Sequence, residues 1–205
     1  MYIISHRANN NHGFKENSLE AIKEVLNKEY IDGVEIDVRL TKDKKIVLHH
    51  GLIISKKGLI NNLYFKEIKN DVNLLSEILK NIKTEKIILI DIKCELCDID
   101  TFVSKLNKIL KKYKYLNIYL CSFNFELIKK LKQTYNYKTG LIISNIMNKT
   151  KEINDFDFVL LNYKVEYKTN KQTMLWTINK KEIMDKYKNK KIYIITDKPY
   201  LIQKE

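Results

Sequence analysis

Hydrophobic and polar positions alternate most clearly between Gly33 and His50, GVEIDVRLTKDKKIVLHH. A strand through this stretch turns Val34, Ile36, Val38 and Leu40 to one side and Glu35, Asp37, Arg39 and Thr41 to the other, with Glu35 and Asp37 roughly 7 Å apart. A second apolar run, Ile46–Leu48, delivers His49 and His50 after a connector of only Lys42-Asp43-Lys44. That connector is too short for a crossover helix, so the pair reads as a hairpin or a local extension of the strand.

Before it, Tyr2–Ser5 is a short apolar strand that stops at His6-Arg7, and a polar loop follows. Asn17 reads as an N-cap with Glu20 closing a capping box, and Leu19, Ile22, Val25, Leu26 and Tyr30 mark one face of the helix behind it. Gly51–Val72 is irregular, and Leu74–Ile82 is a short helix. Lys86–Lys93, KIILIDIK, is the most apolar strand, with Asp91 inside it. Helix Ile99–Tyr113, strand Ile118–Cys121, helix Phe125–Tyr135 and strand Gly140–Ile143 come next. A brief helix, strands Phe158–Leu161 and Met174–Ile178, helix Lys181–Tyr187 and strand Ile192–Ile195 complete the chain.

Strands alternating with helical patterns argue for an α/β fold with a parallel sheet. Nine candidate strands stand against the eight of a TIM-type (β/α)8 barrel, and the hairpin-like pair near residue 40 is where the surplus belongs. The expectation is a barrel, slightly irregular near its second and third strands. With 205 residues, 44% of them hydrophobic, a single domain over 1–205 is expected.

The formal net charge of +13 would suggest phosphate-bearing partners, yet arginine occurs only at Arg7 and Arg39. Abundant lysine, asparagine, isoleucine and tyrosine fit an AT-rich coding bias, and no nucleic-acid partner is expected. Cys94, Cys97 and Cys121, an odd number in a chain too long to need staples, are expected to be reduced thiols, and a CxxC without a second pair does not make a zinc site. With no signal peptide or long apolar run visible, no stable membrane anchor and a cytoplasmic location are expected.

Functional side chains of a parallel barrel gather at the carboxyl ends of its strands. His6, Arg7, Glu35, Asp37, His49, His50, Asp91, Lys93, Ser122 and Trp176 fall there, and all four histidines lie within the first fifty residues. Asp91 amid isoleucines and leucine needs a partner, either Lys93 on the same face or a metal. Should Glu35 and Asp37 turn into the same cavity, three carboxylates crowd together. Such a set calls for a hard cation, Mg²⁺ or Ca²⁺. With two imidazoles, an arginine and a lysine beside it, the set suits a phosphodiester.

The motifs HR at 6–7, ENS at 16–18, EIDVRLTKD at 35–43, VLHH at 47–50, IDIK at 90–93, SFN at 122–124, WTIN at 176–179 and IITDKP at 194–199 occur in the order seen in the glycerophosphodiester phosphodiesterase family. The chain resembles that family over roughly residues 2–200. The resemblance implies a phospholipase-C-like phosphodiesterase barrel that hydrolyses glycerophosphodiesters to sn-glycerol 3-phosphate and an alcohol. It implies one divalent cation, Mg²⁺ or Ca²⁺, on Glu35, Asp37 and Asp91, and acid–base work by His6 and His49. Arg7 and Lys93 become phosphate contacts, Trp176 a pocket wall, and Glu16 and His50 supporting residues. Three departures from the family pattern stand out: His49-His50 for His-Asp, Asp91 for glutamate, and His6-Arg7-Ala8 for HRG. Two alternatives stand beside hydrolysis of small diesters: a weakened barrel that only binds phosphorylated ligands, and a lysophospholipase-D-like activity on lysolipids.

Overall fold

A parallel strand buried on both faces must be covered by helices outside and by its own neighbours inside, and closure removes its edges. The computed structural model of the chain describes residues 1–11, 13–135, 137–145, 152–166 and 168–202. Eight parallel strands close into a barrel: β1 (Tyr2–Ser5), β2 (Gly33–Leu40), β3 (Ile87–Ile92), β4 (Asn117–Ser122), β5 (Lys138–Ile143), β6 (Phe158–Asn162), β7 (Gln172–Trp176) and β8 (Tyr193–Thr196). Each pairs with the next, and β1 pairs with both β8 and β2, which completes the ring.

The expected surplus strand is real and lies outside the ring. Ile46–Leu48 runs antiparallel to the end of β2, with Val38 opposite Leu48, and Asn73–Leu74 pairs antiparallel to it in turn. Between them, Gly51–Val72 is more ordered than its composition suggests. It holds a small hairpin of Ile53–Ile54 and Gly58–Leu59, a 3-10 turn at Ile60–Asn62 and a helical turn at Phe65–Ile68. Val47, Ile54, Ile60, Ile68 and Val72 form its own small core.

The main core lies between strands and helices, where Val34, Ile36, Val38, Ile88 and Ile90 meet Ile22, Val25, Phe102, Leu106 and Leu127. A second core fills the barrel interior: Ile4, Leu89, Tyr119, Cys121, Phe158, Leu160 and Met174. Gly140 on β5 stands opposite Phe158 on β6, and its missing side chain makes room for that ring.

Some boundaries differ from the sequence pattern. The first helix, α1, is Leu19–Leu26, and its cap is Ser18, whose hydroxyl accepts from the Ala21 amide at 3.2 Å. Asn17, the expected cap, sits one residue earlier with φ 57° and bonds elsewhere. The helices expected to end at Tyr113, Tyr135 and Tyr187 end at Leu110, Thr134 and Asp185. The seventh strand begins two residues earlier than its apolar run. Of the brief helix expected before β6, residues 146–151 lie outside the described residues, as does His12, and a 3-10 turn occupies Glu152–Asp155.

The expectation of three reduced thiols is corrected at two positions: Cys94 and Cys97 are joined in a disulfide, leaving Cys121 free and buried. The turn after β3 brings their Cα atoms to 5.2 Å, within the reach of a disulfide. The CxxC spacing reflects that tight turn, whereas a count of cysteines cannot show it.

Candidate active site

Period-two alternation on β2 and β3 decides where the carboxylates go. Asp37 and Asp91 are register partners on adjacent parallel strands, so both side chains point to the same face. That face is the barrel interior, near the carboxyl ends. Glu35, Asp37 and Asp91 are all buried, and one oxygen from each lies within 4.8 Å of the others.

This crowding is visible in their acidity. Burial, reinforced by the Asp37 charge, pushes the Glu35 carboxyl up to about 8. Burial likewise raises Asp91 to about 6, against the pull of Lys93. Asp37 goes the other way. Its burial is outweighed by Lys93, an Asn17 hydrogen bond, His50 and Arg7, which hold it below the ordinary aspartate value. The Lys93 ammonium bridges the two aspartates, 3.2 Å from Asp37 Oδ1 and in contact with Asp91 Oδ2. Thus the salt bridge and the shared acidic site, alternatives in the sequence, coexist.

Do these residues fit a cation? Asp91 Oδ1 is buried without a hydrogen-bond partner, and the donor set is all oxygen. Buried, unsatisfied carboxylate oxygen beside two further carboxylates matches what a hard divalent ion requires. The fit is good.

His6 follows β1 in a 3-10 turn, His6–Ala8, whose Arg7 and Ala8 take left-handed φ values of 53° and 59°. That geometry aims the Arg7 amide at Glu35 Oε2, 2.9 Å away. A glycine adopts it without cost, so alanine at position 8 carries some backbone strain. His6 Nδ1 is 2.6 Å from Asp197 Oδ1, and its Nε2 is 3.9 Å from Glu35 Oε2. Burial disfavours the imidazolium, but the Asp197 hydrogen bond and the Glu35 charge outweigh it and raise His6 above the ordinary histidine value. Asn179 in turn donates to Asp197 Oδ2 at 2.6 Å and accepts from the Asp197 amide at 2.9 Å.

A cavity of about 180 Å³ opens from this cluster. Its polar wall is His6, Arg7, Glu35, His50, Asp91 and Lys93, and its apolar wall is Phe123, Ile142, Leu160, Trp176 and Ile195. Phe123 meets Trp176 edge-on at 5.7 Å between ring centres, and the indole Nε1 is buried without a partner. Of the two adjacent histidines, His50 lines this cavity. Both His49 and His50 line a smaller neighbouring cleft beside Glu16 and Asn17. His49 Nδ1 is held 2.8 Å from the Gly51 carbonyl. Glu16 reaches Arg7 Nη1 at 3.5 Å and faces that cleft, outside the carboxylate triad. Ser122 is structural, donating to the Ile92 carbonyl at 2.7 Å.

Three polar residues were given no role at the site by the sequence. Asn17 accepts from the Asp37 amide through Oδ1 and donates to Asp37 Oδ2 through Nδ2, both at 3.0 Å. Asp197 and Asn179 support His6. All three lie inside the quoted motifs, ENS, IITDKP and WTIN, so the signal was present, but only the fold shows what they touch.

A closed parallel barrel with three carboxylates, two cations and a supported histidine at its carboxyl end defines the class: a barrel built for acid–base or metal-assisted chemistry on an anionic group. The comparisons narrow it. The model of the glycerophosphoryl diester phosphodiesterase family matches residues 6–201. The chain belongs to that family, whose members are phosphoric diester hydrolases. A glycerophosphodiester phosphodiesterase from Thermotoga maritima is similar at 25% identity and TM-score 0.80, over 98% of this chain and 96% of that one. An Oleispira antarctica phosphodiesterase, solved with the product sn-glycerol-3-phosphate, has the same fold at 20% identity and TM-score 0.86, over 99% and 95%. An uncharacterised protein of Mycoplasma genitalium is 33% identical over 136 residues, 56% of this chain, and the chain spans 57% of that relative's length. No helix among the described residues is long and apolar enough to cross a membrane.

Proposed function

We propose that the protein hydrolyses glycerophosphodiesters to sn-glycerol 3-phosphate and an alcohol, with one divalent cation, Mg²⁺ or Ca²⁺, resident on Glu35, Asp37 and Asp91. The observation that carries this reading is the convergence of three buried carboxylates from two adjacent strands beside His6. Family membership and the product-bound Oleispira antarctica structure support the substrate class.

When bound, the ion would neutralise charge on the phosphoryl oxygens. The chain's own groups do the rest. Arg7 and Lys93 hold the phosphate at the polar wall, where both already face Asp37. His6 presents Nε2 to the cavity, because Asp197 holds Nδ1, and exchanges a proton with one of the two reacting oxygens, the entering or the leaving one. His49, in the cleft adjoining the cavity, exchanges a proton with the other of these two oxygens, its Nδ1 fixed by Gly51 and its Nε2 left to act. Trp176 and Phe123 form the wall against the organic part of the substrate. The attacking oxygen comes from water, or from the substrate's own glycerol hydroxyl, which expels the alcohol and gives a cyclic phosphate that water then opens.

The test is release of glycerol 3-phosphate from several glycerophosphodiesters, with EDTA and with Mg²⁺ or Ca²⁺ restored. His6→Ala and His49→Ala should each abolish turnover in folded protein, and wild-type rates in either refute its role. His50→Ala, assayed alongside, shows whether the cavity-lining imidazole does the work assigned to His49.

A second reading, head-group release from lysophospholipids, is favoured by the exposure of Ile53, Leu96 and Phe123, at 57%, 55% and 42%, on loops following β2, β3 and β4. Comparing lysophosphatidylcholine with glycerophosphocholine under the same conditions separates the two.

A further inference from the structure

Arg39 is a buried cation, 6% exposed, with no part in the chemistry just described. It extends from the end of β2 past the mouth of the barrel, and all its hydrogen bonds span two loops. Nε and Nη2 donate to the His50 carbonyl at 3.1 and 2.7 Å. Nη1 and Nη2 donate to the Glu95 carboxylate at 2.7 and 3.2 Å.

Both ends of this link are themselves anchored. Glu95 lies in the Cys94–Cys97 turn directly after Lys93. That turn is held by the disulfide, by Asn124 Nδ2 donating to the Cys94 carbonyl at 3.3 Å, and by Asn61 Nδ2 donating to the Leu96 carbonyl at 3.0 Å. At the other end, the His49 amide donates to the Asp37 carbonyl at 3.1 Å, and the His49 ring turns back onto Gly51. The guanidinium is therefore a strut between the segment bearing both histidines and the turn that follows the phosphate-binding lysine.

The residue type supports this. Of 38 lysines and arginines only two are arginine, and one of them, Arg7, faces the carboxylates. A planar five-donor fork can serve a carbonyl and a carboxylate at once; a lysine ammonium at the end of a flexible stem cannot hold both in one plane.

We propose that Arg39 and Glu95 are positioning residues for hydrolysis, fixing the His49–His50 segment relative to Lys93 across the cavity. This rests on the phosphodiesterase reading above. Neither residue belongs to a hydrophobic core cluster, and Glu95 is exposed, so Glu95→Gln tests the strut without endangering the fold even where Arg39→Lys proves unstable.

With sn-glycero-3-phosphocholine and Mg²⁺, each substitution should lower kcat by about tenfold or more, the scale expected for misplacing a catalytic group. KM and the Mg²⁺ concentration for half-activation should stay within about twofold, since neither residue is placed against the substrate or the cation. The double variant should lose no more than the worse single variant, as members of one unit do. The His49 backbone amide, which donates to the Asp37 carbonyl, should exchange hydrogen faster in both variants. Unchanged kcat, or losses that add and track the melting temperature, would overturn the proposal. If the unaltered protein hydrolyses no glycerophosphodiester, the phosphodiesterase reading falls by itself. Amide exchange then decides whether the strut exists, and unchanged exchange at the His49 amide sinks it.

Discussion

Asp197 Oδ1 lies 2.6 Å from His6 Nδ1, joining the last barrel strand to the first across the seam where the ring closes. Asp197 accepts the Nδ1 proton, which leaves Nε2 facing Glu35 and the cavity. Replacing the carboxylate with an amide removes both the hydrogen bond and the charge that favour the imidazolium, while burial remains. Asp197→Asn should therefore lower the His6 titration midpoint, followed by NMR of the ring protons, and reduce kcat by about tenfold or more. An unmoved midpoint would show that Asp197 does not set the state of His6.

The carboxylate cluster ties stability to pH in a definite direction. Glu35 rises from 4.5 to about 8 and Asp91 from 3.8 to about 6, so each favours the folded state while neutral. That contribution is fully present below the unfolded values and is lost as pH rises through the folded ones. His6, also raised, acts in the same sense at higher pH. In EDTA the melting temperature should fall between pH 5 and 8 by about 5 °C or more, and less in Glu35→Gln. Added Mg²⁺ should recover more stability at pH 8 than at pH 6, because it requires ionised carboxylates. A wild-type decline no steeper than that of Glu35→Gln would remove Glu35 as its source.

Asn17 is the group that orients Asp37, and its φ of 57° suits asparagine or glycine better than alanine. Asn17→Gly keeps the backbone and deletes both hydrogen bonds to Asp37. It should cost about 1–3 kcal/mol in denaturant unfolding, since Asp37 is buried, and weaken Mg²⁺ activation. Activation unchanged at full stability loss would confine Asn17 to a structural role.

Inside the barrel, Gly140→Ala would drive a methyl group into the Phe158 ring on the neighbouring strand. Overpacking of this kind costs about 1–3 kcal/mol, and more here because the obstacle is a fully buried aromatic ring between two strands. Gly140→Ala/Phe158→Leu should regain part of the loss in the same unfolding measurement. No recovery would place the strain elsewhere.

How much of this could be read from the chain depends on whether the determining contact is local. Glu35, Asp37 and Asp91 were legible because strand alternation sets their face, and the barrel then leaves one place for them. The surplus strand was legible because a three-residue connector cannot cross over. The role of Asn17 was not, because Ser18 is an equally good cap and only the tertiary pull of Asp37 separates them. Asp197 lies 191 residues from His6, and no local pattern joins them. The Cys94–Cys97 bond depends on a turn whose shape the spacing permits but does not dictate. The adjacent histidines mark the finest limit: one residue of offset lets His50 line both the main cavity and the cleft beside it, and His49 the cleft alone.

The lysine lodged between Asp37 and Asp91 has a consequence for turnover. With all three acids ionised and His6 neutral, Lys93 and Arg7 leave the cluster at about minus one, and a doubly positive ion would turn it to about plus one. A phosphodiester, singly negative, brings the total to neutrality. The phosphomonoester that follows carries close to two negative charges at pH 7, tipping the sum to about minus one. On the proposed reading, the same arithmetic that welcomes the substrate turns against the product, and repulsion would help empty the barrel after each cycle.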